Sequence, residues 1–285
     1  MALILNGKPI QKNIRSDVAI EAALWRAKGI SPRLEILYCQ MDDSSVHYGQ
    51  LLQQQGSAVG IEVGLHSMSL DIEEREALDQ VAAWNEDDNV HAILPMDPFP
   101  PKVRKDVLGR AIHPKKDIEA INPVTLGDLF LGISRFVPSP VQAVLTLLDS
   151  YHVPLEGKHA VVLGRSTGIG RPLALLLLQR NATVTTCHTY TQSIETIARH
   201  ADILVSAIGR PELVDVRFVK PGAVVIDVGT SFVDGKLVGD VCFSEVEKIA
   251  SAISPVPGGV GPVTTAVLLQ SVLCALRWQR SNGND

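Results

Sequence analysis

Hydrophobic and polar positions along this chain switch repeatedly between a helical and a strand period, and the switches mark its elements. Residues 17–28 place Val18, Ala22 and Trp25 on one helical face, and Gly29 ends the run. Beyond Pro32, residues 34–39 read as a strand, 44–56 as a helix, 61–65 as a strand and 72–85 as a helix. A third strand at 92–94 runs into Pro95, Pro98, Pro100 and Pro101. Proline cannot donate to a sheet ladder, so this cluster is a rigid loop. Alternating strand and helix predicts a small parallel sheet with helical cover.

From Pro138 the spacing of Val144, Leu147 and Leu148 predicts a helix running to Tyr151, connecting two domains. A stronger rhythm follows, with strands at 159–163, 182–187, 203–207 and 223–228 and helices at 172–179 and 194–200. Several of these strands are continuous apolar runs, as expected where both sheet faces are covered. The predicted fold is α/β, with a small N-terminal domain over 1–145 and a doubly wound, dinucleotide-binding parallel-sheet domain over 146–263. An amphipathic helix over 264–279 could pack on either one, and the tail at 281–285 is expected to fray.

Composition narrows the class. The chain has 285 residues, 31 acidic against 26 basic, for a net charge of −5. That balance lacks the electrostatic footprint of a general nucleic-acid binder. The longest uninterrupted apolar stretch, 173–178, is too short to span a bilayer, so no membrane association is expected. Residues 1–10 carry no secretory signal pattern. Cys39, Cys187, Cys242 and Cys274 are widely spaced and form no CxxC pair, which reads as reduced thiols in a cytoplasmic protein. The eight histidines form no HxxxH or HxH cluster, so no metal is expected.

Candidate chemistry begins at Gly164-Arg165-Ser166-Thr167-Gly168-Ile169-Gly170, between a predicted strand and a helix with Pro172 in its first turn. Glycines allow a pyrophosphate close to the backbone, and the helix start offers unpaired N–H groups and positive dipole character. A tight turn without a ligand is the alternative. Residues 184–190 hold no carboxylate for ribose hydroxyls, whereas Arg165 suits a 2′-phosphate, so NADP is favoured over NAD. Short-chain dehydrogenases share this glycine spacing but need Tyr-x3-Lys. Here Tyr151 is followed by Leu155 and Tyr190 by Ile194, so that family is set aside.

The most specific segment is Ser254-Pro255-Val256-Pro257-Gly258-Gly259-Val260-Gly261-Pro262-Val263-Thr264. With it, the second half resembles the bifunctional methylenetetrahydrofolate dehydrogenase/cyclohydrolase family, which carries Thr-Pro-Val-Pro-Gly-Gly-Val-Gly-Pro-Met-Thr there. Gly164-Arg165-Ser166, Thr185-Thr186-Cys187-His188, Ala207-Ile208-Gly209, Val225-Ile226-Asp227-Val228-Gly229 and Leu237-Val238-Gly239-Asp240-Val241 also match. The resemblance implies two domains with a folate cleft between them, the final helix (264–285) joining the first domain, NADP on a Rossmann-like domain, and a homodimer. It carries NADP contacts to Gly164, Arg165, Ser166, Thr189 and Thr230, and Gly168, Gly170 and Gly209 complete the candidate cofactor-binding turns. Substrate contacts fall on Tyr48, Met96, Asp97, Glu119, Pro257, Gly258, Gly259 and Val260. Where Gly168 stands the family has a branched residue, so a looser turn is expected.

On the substrate side the pattern breaks. Ser45 and Tyr48 match the family's Ser-x-x-Tyr-x3-Lys motif, but Leu52 occupies the lysine position. The glutamine that holds that lysine is Met96, and the pterin-holding aspartate is Glu119. Leucine has neither a titratable proton nor a charge, so the family's cyclohydrolase step is expected to be lost. Hydride transfer asks mainly for positioning and survives these changes. The resulting expectation is an NADP-dependent oxidoreductase acting at a one-carbon bridge, with Tyr48 and Glu119 as its remaining candidate catalytic groups. A relative recruited to another small imine or carbonyl substrate, using Tyr48, Asp97 or Glu119, is one alternative. A non-catalytic cofactor-binding relative is the other, with Tyr48 a packed tyrosine and Asp97 and Glu119 solvated carboxylates.

Overall fold

The structure, a computed structural model, describes residues 1–281; most of the tail expected to fray lies outside them. In chain order the elements are β1 (Leu3–Ile4), α1 (Lys8–Ala27), β2 (Arg33–Cys39), α2 (Asp43–Val59), β3 (Glu62–Met68), α3 (Glu74–Glu86), β4 (Ala92–Pro95), α4 (Lys105–Ala111), α5 (Pro123–Leu131) and α6 (Ser139–Ser150). They continue as β5 (His159–Leu163), α7 (Gly170–Gln179), β6 (Thr183–Cys187), α8 (Ile194–Ala198), β7 (Ile203–Ser206), β8 (Val224–Asp227), β9 (Ser231–Val233), β10 (Lys236–Val238), α9 (Phe243–Val246), β11 (Ala252–Ile253) and α10 (Val260–Arg280). Each strand and helix expected from periodicity is present, with shifted ends. The elements not expected are β1, β9, β10 and β11, which have two or three residues each, and the short helices α4, α5 and α9.

The chain forms two compact units. One comprises Met1–Lys12 and Pro138–Thr265, the other Asn13–Val137 and Ala266–Asp285. This corrects the sequence-derived division at 1–145 and 146–263 in two places. Residues 1–12 belong to the cofactor-type unit because Leu3 and Ile4 pair with Ala252 and Ile253, adding β1 to its sheet. Helix α6 also belongs wholly to that unit rather than serving as a linker. From Ala266 onward α10 lies in the other unit.

In the first unit six strands lie in the order β6-β5-β7-β8-β11-β1, with every neighbouring pair parallel. This is a doubly wound, Rossmann-like order. Leu163 pairs with both Cys187 and Ser206, and Ser206 pairs with Asp227. The carboxyl ends of β5, β6, β7 and β8 are therefore level, and the turns that follow them are neighbours. An antiparallel hairpin, β9–β10, stands apart from this sheet.

In the second unit β3-β2-β4 form a parallel sheet whose strands β2 and β4 are buried on both faces. Leu34, Ile36 and Leu94 pack on one face with Leu52, Leu268, Leu269, Val272, Leu273 and Leu276. Leu37 and Ile93 face the other way, onto Ala77, Val81, Trp84 and Leu108. Helix α10 is long and apolar enough to cross a membrane by length and composition. Its role in this core accounts for that composition.

Candidate active site

Helix α2 opens on Asp42, whose carboxylate accepts the Ser45 N–H at 2.7 Å, a regular N-cap. The Ser45 hydroxyl lies 2.6 Å from Asp42 Oδ2 and 2.9 Å from the Asp97 carbonyl, tying the helix start to the loop after β4. Tyr48 and Leu52 are four residues apart and share a helix face. Leu52 is fully buried, in one apolar cluster with Met96, Ile118 and Phe136, and Tyr48 packs against that cluster. A Cβ on Gly49 would stand 3.2 Å from Leu65 Cδ2 and 3.6 Å from Met96 Cε. The place expected for a lysine–glutamine pair is thus packed hydrocarbon.

Burial first, and then the negative charge of Glu119, push the Tyr48 phenol well above its ordinary range. Tyr48 is consequently a neutral O–H donor at any physiological pH. Glu119 is half-buried and is presented by a rigid segment. Lys116 Nζ donates to the Trp84, Asn85 and Asp87 carbonyls at 2.7–2.9 Å. Asp117 accepts the Ile121 and Asn122 N–H groups at 2.9 and 2.8 Å. The Asp97 carboxylate, expected at the substrate, forms an ion pair with Lys105. Any cationic substrate group would compete with a lysine of the same chain.

The cofactor-side residues gather at the level strand ends. Gly164 leaves β5 at φ +116°, and a Cβ there would stand 2.4 Å from the Ala207 carbonyl, so only glycine fits. A Cβ on Gly170 would stand 2.2 Å from the Gly164 carbonyl, which lets α7 start against the turn. Ser166 Oγ accepts the Ile169 and Gly170 N–H groups at 3.2 and 3.4 Å. A Cβ on Gly168 would meet nothing within 4 Å, so a branched residue would fit and this glycine is not demanded by the turn. Arg165, Ser166, Gly168, Thr189, Gly209 and Thr230 are all exposed, each in a turn following β5, β6, β7 or β8. These donors suit a dinucleotide: glycine backbone open to a pyrophosphate, a helix N-terminus and an arginine.

The proline- and glycine-rich loop belongs to the same unit. Gly258 has φ +116°, and its carbonyl accepts the Gly7 N–H at 2.8 Å. Gly7 can approach because it has no side chain: a Cβ there would stand 2.0 Å from the Gly259 carbonyl. Gly258, Gly259 and Val260 are buried, and Pro257 is exposed. The loop is therefore built against β1 and leads into α10.

Sequence reasoning missed the groups that shape the cofactor turns. Asp240 accepts from Ser206 Oγ at 3.0 Å, Ile208 N–H at 2.8 Å and Arg210 N–H at 2.9 Å, which fixes the turn bearing Gly209. Asp227 accepts the Gly229, Asp240 and Val241 N–H groups at 2.9, 3.1 and 2.9 Å, which fixes the turn bearing Thr230. Both carboxylates are buried, and burial together with Asp240 pushes Asp227 up to about 7 against its three hydrogen bonds. The available signal was two aspartates in otherwise apolar, glycine-bounded runs.

Comparison with known proteins gives the same division of labour. Residues 5–119 match the tetrahydrofolate dehydrogenase/cyclohydrolase catalytic domain, and residues 138–280 match the NAD(P)-binding domain of that family. A bifunctional protein FolD from Natranaerobius thermophilus is 41% identical over 276 residues, covering 97% of each chain. The crystal structure of the bifunctional FolD methylenetetrahydrofolate dehydrogenase/cyclohydrolase from Campylobacter jejuni has a TM-score of 0.94 at 35% identity, covering 97% of this chain and 99% of that one. The Trypanosoma brucei methylenetetrahydrofolate dehydrogenase-cyclohydrolase, solved with NADP cofactor and an inhibitor, has a TM-score of 0.92 at 37% identity over 97% and 98% of the two chains. Matched along nearly its whole length, and with glycine turns at the strand ends where a dinucleotide fits, this chain belongs to the tetrahydrofolate dehydrogenase/cyclohydrolase family.

Proposed function

We propose that the protein is an NADP-dependent methylenetetrahydrofolate dehydrogenase that has lost the cyclohydrolase step. The observation that carries the second half of this reading is Leu52, fully buried in an apolar cluster that also holds Met96. Cyclohydrolysis would need a group that moves a proton near the one-carbon bridge, and hydrocarbon supplies none. The dehydrogenase half is supported by family membership and by the intact cofactor turns. When bound, NADP supplies the hydride acceptor. The chain's own contribution is placement. Gly164, Ser166 and the α7 start would hold the pyrophosphate, Arg165 the 2′-phosphate, and Thr189, Gly209 and Thr230 the flanking groups. Tyr48 would keep its proton and donate a hydrogen bond to the folate, and Glu119 would accept from the pterin edge. The dry wall of Leu52 and Met96 would keep water from the bridge carbon. The same reading makes the protein a homodimer joined through its cofactor units.

A second reading rests on Glu119 itself. One methylene more than aspartate moves the carboxylate by about 1.5 Å, enough to refit the site to a different imine or carbonyl substrate.

The experiment incubates the purified chain with NADP and methylenetetrahydrofolate while following NADPH absorbance and, by mass spectrometry, the formyl product. The expected result is NADPH formation with methenyltetrahydrofolate accumulating and no formyl product above the uncatalysed rate. Formyl product keeping pace with NADPH would overturn the loss of cyclohydrolase. No NADPH at any enzyme concentration would overturn the dehydrogenase, and turnover of other imines would then support the second reading.

A further inference from the structure

One aromatic side chain at the cofactor turns lies almost wholly in solvent. Tyr190 is 81% exposed, in the turn after β6. Its main chain is nevertheless held. The Tyr190 N–H donates to His188 Nδ1 at 3.2 Å, the His188 N–H donates to Thr191 Oγ1 at 2.9 Å, and the Thr191 N–H returns to the His188 carbonyl at 2.8 Å. The His188 ring meets the tyrosine ring edge-on, with centroids 6.2 Å apart and planes at 67°. The backbone that carries this exposed ring is thus held by a closed local turn, with the His188 ring at its side.

Arg165 comes to that ring from the neighbouring strand end. Its guanidinium carbon lies 5.8 Å from the Tyr190 centroid, within cation–π range. Among the described residues no hydrogen bond or ion pair engages its N–H groups, so the fork is open on its edges and steadied on one face. A planar fork held this way is suited to bidentate recognition of a phosphate monoester. The register that levels Leu163 with Cys187 brings the two turns together.

We infer that Tyr190 is a specificity-determining residue acting through Arg165: its ring holds the guanidinium toward the 2′-phosphate of the adenosine half, so preference for NADP over NAD depends on this tyrosine. The inference rests on the assignment of Arg165 to the 2′-phosphate made above. The contact required is the ring face, not the hydroxyl. Phenylalanine should replace tyrosine, and alanine should not. The benefit should appear only for ligands carrying the 2′-phosphate. An exposed cation–π contact corresponds to about 2–5-fold in affinity.

The test titrates the full chain calorimetrically with NADP, NAD, adenosine 2′,5′-bisphosphate and adenosine 5′-monophosphate. The variants are Tyr190→Ala, Tyr190→Phe, Arg165→Ala and the Arg165→Ala/Tyr190→Ala pair. The expected result is a loss of about 2–5-fold for NADP and the bisphosphate in Tyr190→Ala, unchanged NAD and monophosphate, and wild-type behaviour in Tyr190→Phe. In the Arg165→Ala background, removing Tyr190 should cost nothing further, because the coupling runs through that arginine. Equal losses for NADP and NAD would overturn the inference, assigning the ring to the adenine base. So would an undiminished Tyr190→Ala effect without Arg165, or no effect at all. If Arg165→Ala collapses the NADP preference while Tyr190→Ala leaves it intact, only the role of Tyr190 falls. If Arg165→Ala leaves the preference untouched, the 2′-phosphate assignment fails and the inference fails with it.

Discussion

Tyr48 and Leu52 occupy one face of α2, and both are shaped by how little water reaches them. The Tyr48 phenol is raised by burial and then by Glu119, so Glu119→Gln should bring its titration down while burial still holds it above the ordinary value. Ultraviolet difference titration at alkaline pH reads this directly, and an unshifted curve would mean that Glu119 does not act on Tyr48. Leu52→Lys on its own should destabilise the protein by about 3–5 kcal/mol, since it buries an unpartnered charge. Adding Met96→Gln should recover part of that loss by supplying an acceptor. Urea unfolding of the two single variants and the pair measures the coupling, and an additive cycle would show that positions 52 and 96 do not meet. That Leu52 stands where the family resemblance places a lysine was legible in sequence because Ser45 and Tyr48 mark the motif on the helical turn before it. The Lys105 partner of Asp97 was not. That pair is made by a loop and a helix whose relative placement no local spacing encodes.

At the scale of elements, periodicity identified every strand of the cofactor sheet except β1 and β11, which have two residues each. Helix α1 starts at Lys8 rather than at 17 because its first turns are mostly solvent-facing and carry few apolar residues to reveal a period. The turns after β7 and β8 were located through the family resemblance, but the role of the carboxylates that hold them was not, because a buried aspartate is identified only by what surrounds it. That arrangement has a pH signature. Asp227 is raised from 3.8 to about 7, so the folded state binds its proton more tightly than the unfolded chain does. The contribution is most favourable below pH 3.8 and is lost as pH rises toward about 7, with a slope of at most about 1.4 kcal/mol per pH unit. Asp227→Asn should remove this negative slope between pH 4 and 7, whatever it does to absolute stability, because asparagine does not titrate. Guanidinium unfolding at a series of pH values would show it, and an unchanged slope would place the proton elsewhere.

Across the whole molecule, the chain passes between its two units three times, after Lys12, Val137 and Thr265. The first and last passages fall inside α1 and α10. A division drawn from hydrophobic periodicity could not find them, since each helix runs unbroken through that point. The consequence is that neither unit is a contiguous segment. The sheet of the cofactor unit ends on β1, where Leu5 is fully buried, the Leu5 N–H donates to the Ile253 carbonyl at 2.9 Å, and Gly7 meets Gly258. Removing residues 1–7 should therefore leave β11 as an unpaired edge and expose the Pro257–Val260 loop, although these residues lie furthest in sequence from either. Amide hydrogen exchange should speed up in β11 and β8, and NADP affinity should fall, while β2 and β4 keep their protection. The reciprocal change, Leu273→Ala, removes a fully buried side chain that α10 contributes to the other unit, and should cost about 2–5 kcal/mol with faster exchange in β2 and β4. If the truncation instead loosened β2–β4, or Leu273→Ala loosened β8 and β11, the assignment of the two chain ends to opposite units would be wrong. The two ends of this chain are thus expected to report on different units, each one stabilising the half of the sequence that lies away from it.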